Sequence, residues 1–156
     1  IPTGKVPALQ DGDFVLFESA AINMYLAEKF PEKNLIPKSN TPERGLYNQW
    51  CYYVMSELEQ PLWLNAKHTF IYPENRRLPG NIDSAKFEFR QALKVIENHL
   101  NTHDYMVGNH FTGADILVAQ TFMWAQMVKF PLDMPASQEF LARMKERDGY
   151  QRALEV

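Results

Sequence analysis

The motif Phe111-Thr112-Gly113-Ala114-Asp115, followed by an apolar run to about Lys129, leaves the fold of this chain the least freedom. A threonine with an acid three residues on closes a capping box. The Thr112 hydroxyl serves an orphan N–H of the first turn, and the Asp115 carboxylate reaches back to the cap N–H. Phe111, just outside the cap, is placed to pack on Ile116 as a hydrophobic staple. The helix so started carries Leu117, Val118, Phe122, Met123, Trp124, Met127 and Val128 around most of its circumference. A helix that is apolar on nearly every side has to be enclosed. Gln120, Thr121 and Gln126 exclude lipid as the enclosing medium, so the helix is expected at the centre of a bundle. Thr112 and Asp115 are assigned to structural capping.

Helices to surround it are encoded on both sides. Thr41-Pro42-Glu43 combines an N-cap residue, proline at the first helical position and an acid in the first turn. The helix it opens is expected to run to about Phe70, kinked at Pro61, with Leu46, Trp50, Tyr53, Val54, Leu58 and Leu62 on its apolar face. After a loop from Tyr72-Pro73 to Pro79-Gly80, a third helix spans about 83–101, with Ile82, Ala85, Phe89, Leu93, Ile96 and Leu100 in register. A last helix over 137–147 and a turn over 150–154 close the array.

Ahead of the helices stands a different kind of sequence. Ala8-Leu9-Gln10 and Phe14–Phe17 read as two strands joined at Asp11-Gly12-Asp13, and Glu18-Ser19 opens a helix to about Phe30 bearing Ile22, Tyr25, Leu26 and Phe30. Pro31 ends that helix, and the aperiodic segment 31–40 reads as a linker. Pro7, at the first residue of a strand, is able to take a cis bond that leaves the Val6 backbone facing outward, where an extended peptide can pair with it. The helix N-terminus at Ser19 suits a carboxylate, and Glu18 suits an ammonium. Together these features fit a short peptide with a zwitterionic head.

The 156 residues are 46% hydrophobic and 22% charged, with a net charge of −3, which describes a globular chain. With no basic run longer than Arg76-Arg77, nucleic acid is not an expected partner. No apolar stretch approaches the roughly 20 residues of a membrane span, and no signal-peptide pattern follows Ile1. Cys51 is the lone cysteine, so no internal disulfide forms and a reducing compartment is expected. It reads as a small buried hydrophobe. His99 and His103 lack the further ligands a metal needs, and no metal is expected.

Val6-Pro7-Ala8-Leu9, the acidic-glycine turn, and Glu18-Ser19 followed by Ala21-Ile22 and Tyr25-Leu26 resemble the glutathione-binding half of the glutathione S-transferase family. F-T-x-A-D before a buried helix is similar to the capping signature of that family's helical domain. The resemblance implies a mostly α fold: a partial thioredoxin-like β-β-α segment over 1–30, the linker 31–40, and an all-helical C-terminal domain over 41–156. It also implies a preceding β-α-β unit of roughly 50 residues, which in the family carries the catalytic Ser, Tyr or Cys, so the catalytic residue is unassigned. Val6 would pair with the cysteinyl backbone of glutathione and Pro7 would be the cis proline. Glu18 and Ser19 would hold the γ-glutamyl group, and Lys5 would reach the glycine carboxylate. Ala20 stands where many relatives carry a basic residue.

Within the aromatic-rich second helix (Tyr47, Trp50, Tyr52, Tyr53, Trp63), most rings are assigned to core packing and a dimer interface. Tyr53, Glu57 and Trp124 are the candidates for lining the hydrophobic substrate pocket. The implied function is a cytoplasmic, homodimeric transferase that uses glutathione as co-substrate and conjugates its thiolate to hydrophobic electrophiles. A glutathione-dependent disulfide reductase or peroxidase of the same fold, and a non-catalytic interaction domain, remain as alternatives.

Overall fold

A computed structural model describes Gly4 and residues 6–155. Its order is two strands, β1 (Ala8–Asp11) and β2 (Phe14–Phe17), then helices α1 (Ser19–Lys29), α2 (Pro42–Tyr53), α3 (Gln60–Ala66), α4 (Gly80–Leu100), α5 (Gly113–Met127), α6 (Pro135–Lys145) and α7 (Asp148–Ala153). No helix among the described residues is long and apolar enough to cross a membrane.

Helix α5 is the buried axis. Leu117, Val118, Phe122 and Ala125 are buried with Thr121, and the capping pair Thr112 and Asp115 has no exposed surface at all. One oxygen of Asp115 accepts from the Thr112 N–H at 2.7 Å and the Thr112 hydroxyl at 2.9 Å. The other accepts from the Met106 N–H at 2.8 Å, fastening the loop before the helix to its first turn. Burial pushes the carboxyl pKa up, and these donors pull against that rise. The enclosure does not extend to the whole helix: Met127, in the last turn, is 74% exposed.

The helix expected over 41–70 is a rod of four pieces. Between α2 and α3 the backbone widens into a π turn over Val54–Leu58, closed by Glu59 N–H to Val54 C=O at 2.8 Å. A second π turn, Lys67–Ile71, follows α3. Proline has no N–H to give to an i−4 carbonyl, and the π turn before Glu59 places Pro61 in the first turn of α3, where none is needed. The buried face also differs from the expected one at its start. Leu46 is 47% exposed and Tyr47 is fully buried, because α2 turns Tyr47 toward the head of α5, where its hydroxyl sits against Gly113.

Helix α4 begins at Gly80 and buries Ala85, Phe89, Leu93, Ile96 and Leu100. Its Glu97 caps a different helix: the two oxygens accept from Ala136 N–H at 3.0 Å and Ser137 N–H at 2.8 Å at the start of α6. Helix α6 starts at Pro135, two residues before the expected position, with proline again in the first turn.

The strands pair antiparallel with Ala8 opposite Phe17 and Asp11 opposite Phe14, joined by a two-residue loop with Gly12 at φ 60°. Asp11 anchors this hairpin to α1, accepting from the Tyr25 hydroxyl at 2.6 Å and pairing with Lys29. Tyr25 therefore serves the hairpin, its ring tilted against Phe14 with centroids 5.4 Å apart, and Phe30 is exposed. Toward α5 the helix presents Ala20, Asn23, Met24 and Ala27. The segment 31–40 is fastened at several points: the Leu35 carbonyl accepts from Gly113 N–H at 2.8 Å, and Arg44 reaches the Pro37 carbonyl and Glu28, both at 2.9 Å.

Removing the Asp115 carboxylate strands two backbone N–H groups and a hydroxyl in the core, at a cost of about 3 kcal/mol. Asp115→Ala is expected to lower the melting temperature by about 6–12 °C for a domain of this size, read by circular dichroism. A variant as stable as the parent contradicts the capping role.

Candidate functional site

A cleft of about 390 Å³ opens where the hairpin and the head of α1 meet the bundle. Val6, Pro7, Glu18 and Ser19, far apart in chemical type and separated by the hairpin, all line it. The Val6–Pro7 bond is cis. Val6 is 88% exposed. Glu18 caps α1 with φ 76° and ψ 116°, a conformation that L-residues rarely adopt, and its side chain makes no capping hydrogen bond of its own. Its carbonyl accepts from Ile22 N–H at 2.9 Å, so the backbone serves the helix while the carboxylate is left for the cleft. Such outliers persist where surrounding structure over-determines them, and they concentrate at binding sites. Lys5 lies outside the described residues.

The opposite wall comes from α3 and α5: Glu59, Trp63, Leu117, Gln120 and Trp124. The Trp63 indole N–H donates to Glu59 at 2.9 Å, and the Trp63 and Trp124 rings meet edge to face at 5.0 Å. Burial raises the Glu59 pKa, the Trp63 bond counteracts it, and the negative charge of Glu18 adds to the rise. Asn23 completes the floor, donating to the Gly113 carbonyl at 2.7 Å and tying α1 to α5 beneath the cleft.

Of the three candidates for the hydrophobic pocket, Trp124 lies in this cleft. Tyr53 and Glu57 do not; they line a separate groove of about 310 Å³ against α4, where the Tyr53 hydroxyl donates to the Ala92 carbonyl at 3.2 Å. The π turn over Val54–Leu58 advances the register, so the residues delivered to the cleft are Glu59 and Trp63. Sequence reasoning missed Glu59. Its i, i+4 spacing to Trp63 was the available signal. His99 and His103 stack face to face at 4.3 Å, and His99 Nε2 meets the Tyr105 carbonyl at 3.0 Å.

Residues 60–148 match the family model described as "Glutathione S-transferase, C-terminal domain", and residues 1–28 match "Glutathione S-transferase, N-terminal domain". The chain belongs to the glutathione S-transferase family. Among its relatives, glutathione S-transferase F12 of Arabidopsis thaliana is 37% identical over 125 residues, covering 74% of this chain and 55% of that protein. Elongation factor 1-gamma of Danio rerio is 34% identical over 128 residues, covering 79% of this chain and 26% of that protein. The glutathione S-transferase of a sphingomonad, solved in complex with glutathione, superposes with a TM-score of 0.84 at 25% identity, covering 99% of this chain and 74% of that one. The chain thus spans about half the length of the curated transferases it matches. Its β-β-α segment and helical bundle correspond to part of the thioredoxin-like domain and the helical domain of this transferase fold.

Two outcomes follow for residues around the site. A Cβ at Gly113 would lie 2.5 Å from the Tyr47 hydroxyl and 2.8 Å from Asn23 Oδ1. Gly113→Ala is therefore expected to cost about 1–3 kcal/mol in stability, seen as a lower urea midpoint, and an unchanged midpoint refutes the close packing. Cys51 is buried, and burial pushes its thiol pKa up to about 11. In the native protein it should resist a thiol-specific disulfide reagent at pH 7.5 and react on unfolding; rapid native reaction contradicts its assignment as inert.

Proposed function

We propose that this chain binds glutathione in the cleft at the head of α1 and serves its conjugation to hydrophobic electrophiles. The observation that carries the reading is the convergence of Val6, Pro7, Glu18 and Ser19 on one cleft in a member of this family. In it, the N-terminal end of α1 and Ser19 receive the γ-glutamyl carboxylate, Glu18 receives the ammonium, and the Val6 backbone pairs with the cysteinyl unit. Lys5 is assigned to the glycine carboxylate. The walls of Trp63 and Trp124 take the electrophile. Tyr53 and Glu57, which lie outside this cleft, carry no role in it.

The reaction needs the thiol proton to leave, because the thiolate is the nucleophile. The sulfur then forms a bond to an electrophilic carbon, and a leaving group such as halide departs with its electron pair. The thiolate-stabilising donor is not assigned to any of these side chains. The reading further places the protein in the cytoplasm, in keeping with a single buried cysteine, as a homodimer in which each copy has a thioredoxin-like part (1–30), a linker (31–40) and a helical domain (41–156).

The likeness to elongation factor 1-gamma favours one second reading, a non-catalytic domain of this fold. Calorimetric titration with glutathione separates the two. The transferase reading expects saturable binding, weakened about tenfold or more by Ser19→Ala and by Glu18→Ala, as for loss of a hydrogen bond to a charged group. A parent protein that does not bind glutathione overturns the transferase reading, and variants that bind like the parent overturn the site. Turnover of a chlorinated aromatic acceptor, set against reduction of a mixed disulfide, then divides conjugation from reductase chemistry.

A further inference from the structure

The loop that leads from α4 into α5 is held by a pair of imidazoles. His99, in the last turn of α4, meets two rings: Trp50 of α2 at 4.8 Å, and His103 of the loop, which stacks on it with centroids 4.3 Å apart and planes within 5°. Carbonyls set the tautomer of each imidazole. The Tyr105 carbonyl accepts from His99 Nε2 at 3.0 Å, and the His99 carbonyl accepts from His103 Nδ1 at 3.1 Å, so these nitrogens carry the hydrogens and the other nitrogen of each ring is left basic. The very next residue, Met106, gives its N–H to Asp115 at 2.8 Å. The stack thus pins the loop where it reaches the cap of the central helix.

We infer that the His99–His103 stack is an acid-sensitive clamp on the loop 101–111, closed while the pair carries at most one proton and released when both imidazoles are charged. Burial holds the His99 pKa below its ordinary value, and the charge of His103 adds to the fall; the Tyr105 carbonyl and Asp115, from α5, pull against it. One proton on the pair is therefore tolerated, with Asp115 and the Trp50 ring beside it. A second sets like charges face to face at 4.3 Å. From α6, Arg143 adds a further cation, donating to the Asp104 carbonyl of the loop at 2.9 Å, and His110 lies exposed farther along it. Once released, each imidazole is hydrated and titrates near its ordinary value of about 6.5. The open loop then binds two protons in acid where the closed loop binds one. Closure is complete above about pH 6.5 and is lost as the pH falls below it. Opening withdraws the Met106 N–H from Asp115, and with it part of the support for the first turn of α5, to which Asn23 ties α1.

The inference does not depend on what the cleft binds. It is tested by hydrogen exchange of the Met106 amide at pH 7.5 and 5.5, each rate divided by that of an unstructured peptide at the same pH, with the Phe89 amide in the buried part of α4 as reference. A difference of one proton lowers the protection of Met106 relative to Phe89 by about five- to tenfold at pH 5.5. In His103→Gln, which replaces an exposed side chain, the relative fall is expected to stay under about twofold. Equal relative protection at the two pH values in the parent overturns the inference. A variant that keeps the full fall overturns it as well and assigns the response to Asp115 or His110, both of which it retains. The imidazole C–H resonances of the parent give a second readout: His99 and His103 are expected to titrate as a coupled pair in two separated steps, and independent titration of both at the ordinary value overturns the clamp without any variant.

Discussion

The Asp115 carboxylate, buried among a hydroxyl and two backbone N–H groups, is the interaction on which the rest of the arrangement depends. A carboxyl group without exposed surface carries a heavy desolvation burden, offset here by the three donors that converge on it. In return it sets where α5 begins. Gly113, the first residue of that helix, offers its carbonyl to Asn23 of α1 and its N–H to the Leu35 carbonyl of the segment that follows α1. The carboxylate therefore fixes the angle at which α1 meets the bundle, although it takes no part in the cleft that this angle creates.

The two walls are supported by unlike means. A two-stranded hairpin is marginal in water, and here Asp11, Tyr25, Lys29 and Phe14 bind it to α1 along one side. That support allows the chain to turn from β2 into α1 through Glu18 in a left-handed conformation worth about 1–3 kcal/mol of strain. The other wall has no strain of this kind. It is a rod whose backbone hydrogen bonds loosen twice into π geometry and whose apolar face, Tyr47, Trp50, Cys51, Val54, Leu58 and Leu62, stays buried throughout.

Local signals were legible in the sequence and long-range ones were not. The capping box, the hairpin with its glycine, the proline at the start of α2 and the helix start at Ser19 all depend on residues within a few positions of one another, and each was read correctly. Leu46 was expected on the buried face, but α2 turns its neighbour Tyr47 toward the head of α5 instead, and Tyr53 and Glu57 face a groove against α4, contacts that the spacing of apolar residues within one helix does not show. The Glu97 cap on α6 and the Asn23 bond to Gly113 join residues 40 and 90 positions apart, and no pattern in a single sequence announces them. Of the cleft, the α1 side followed from motif and chemistry. Trp124 was found on the far wall, and its neighbour Glu59 was concealed by the register.

A π turn holds one residue more than the α-helical turn it replaces, so it acts as a movable index mark along the rod. Excising a single residue from Val54–Leu58 would restore the α-helical register and rotate the side chains of α3 by about 100° relative to α2. Such a change would redraw the cleft wall without touching α5 or its cap. The inventory of side chains that meets a second substrate is thereby separable, in evolutionary terms, from the scaffold that presents it.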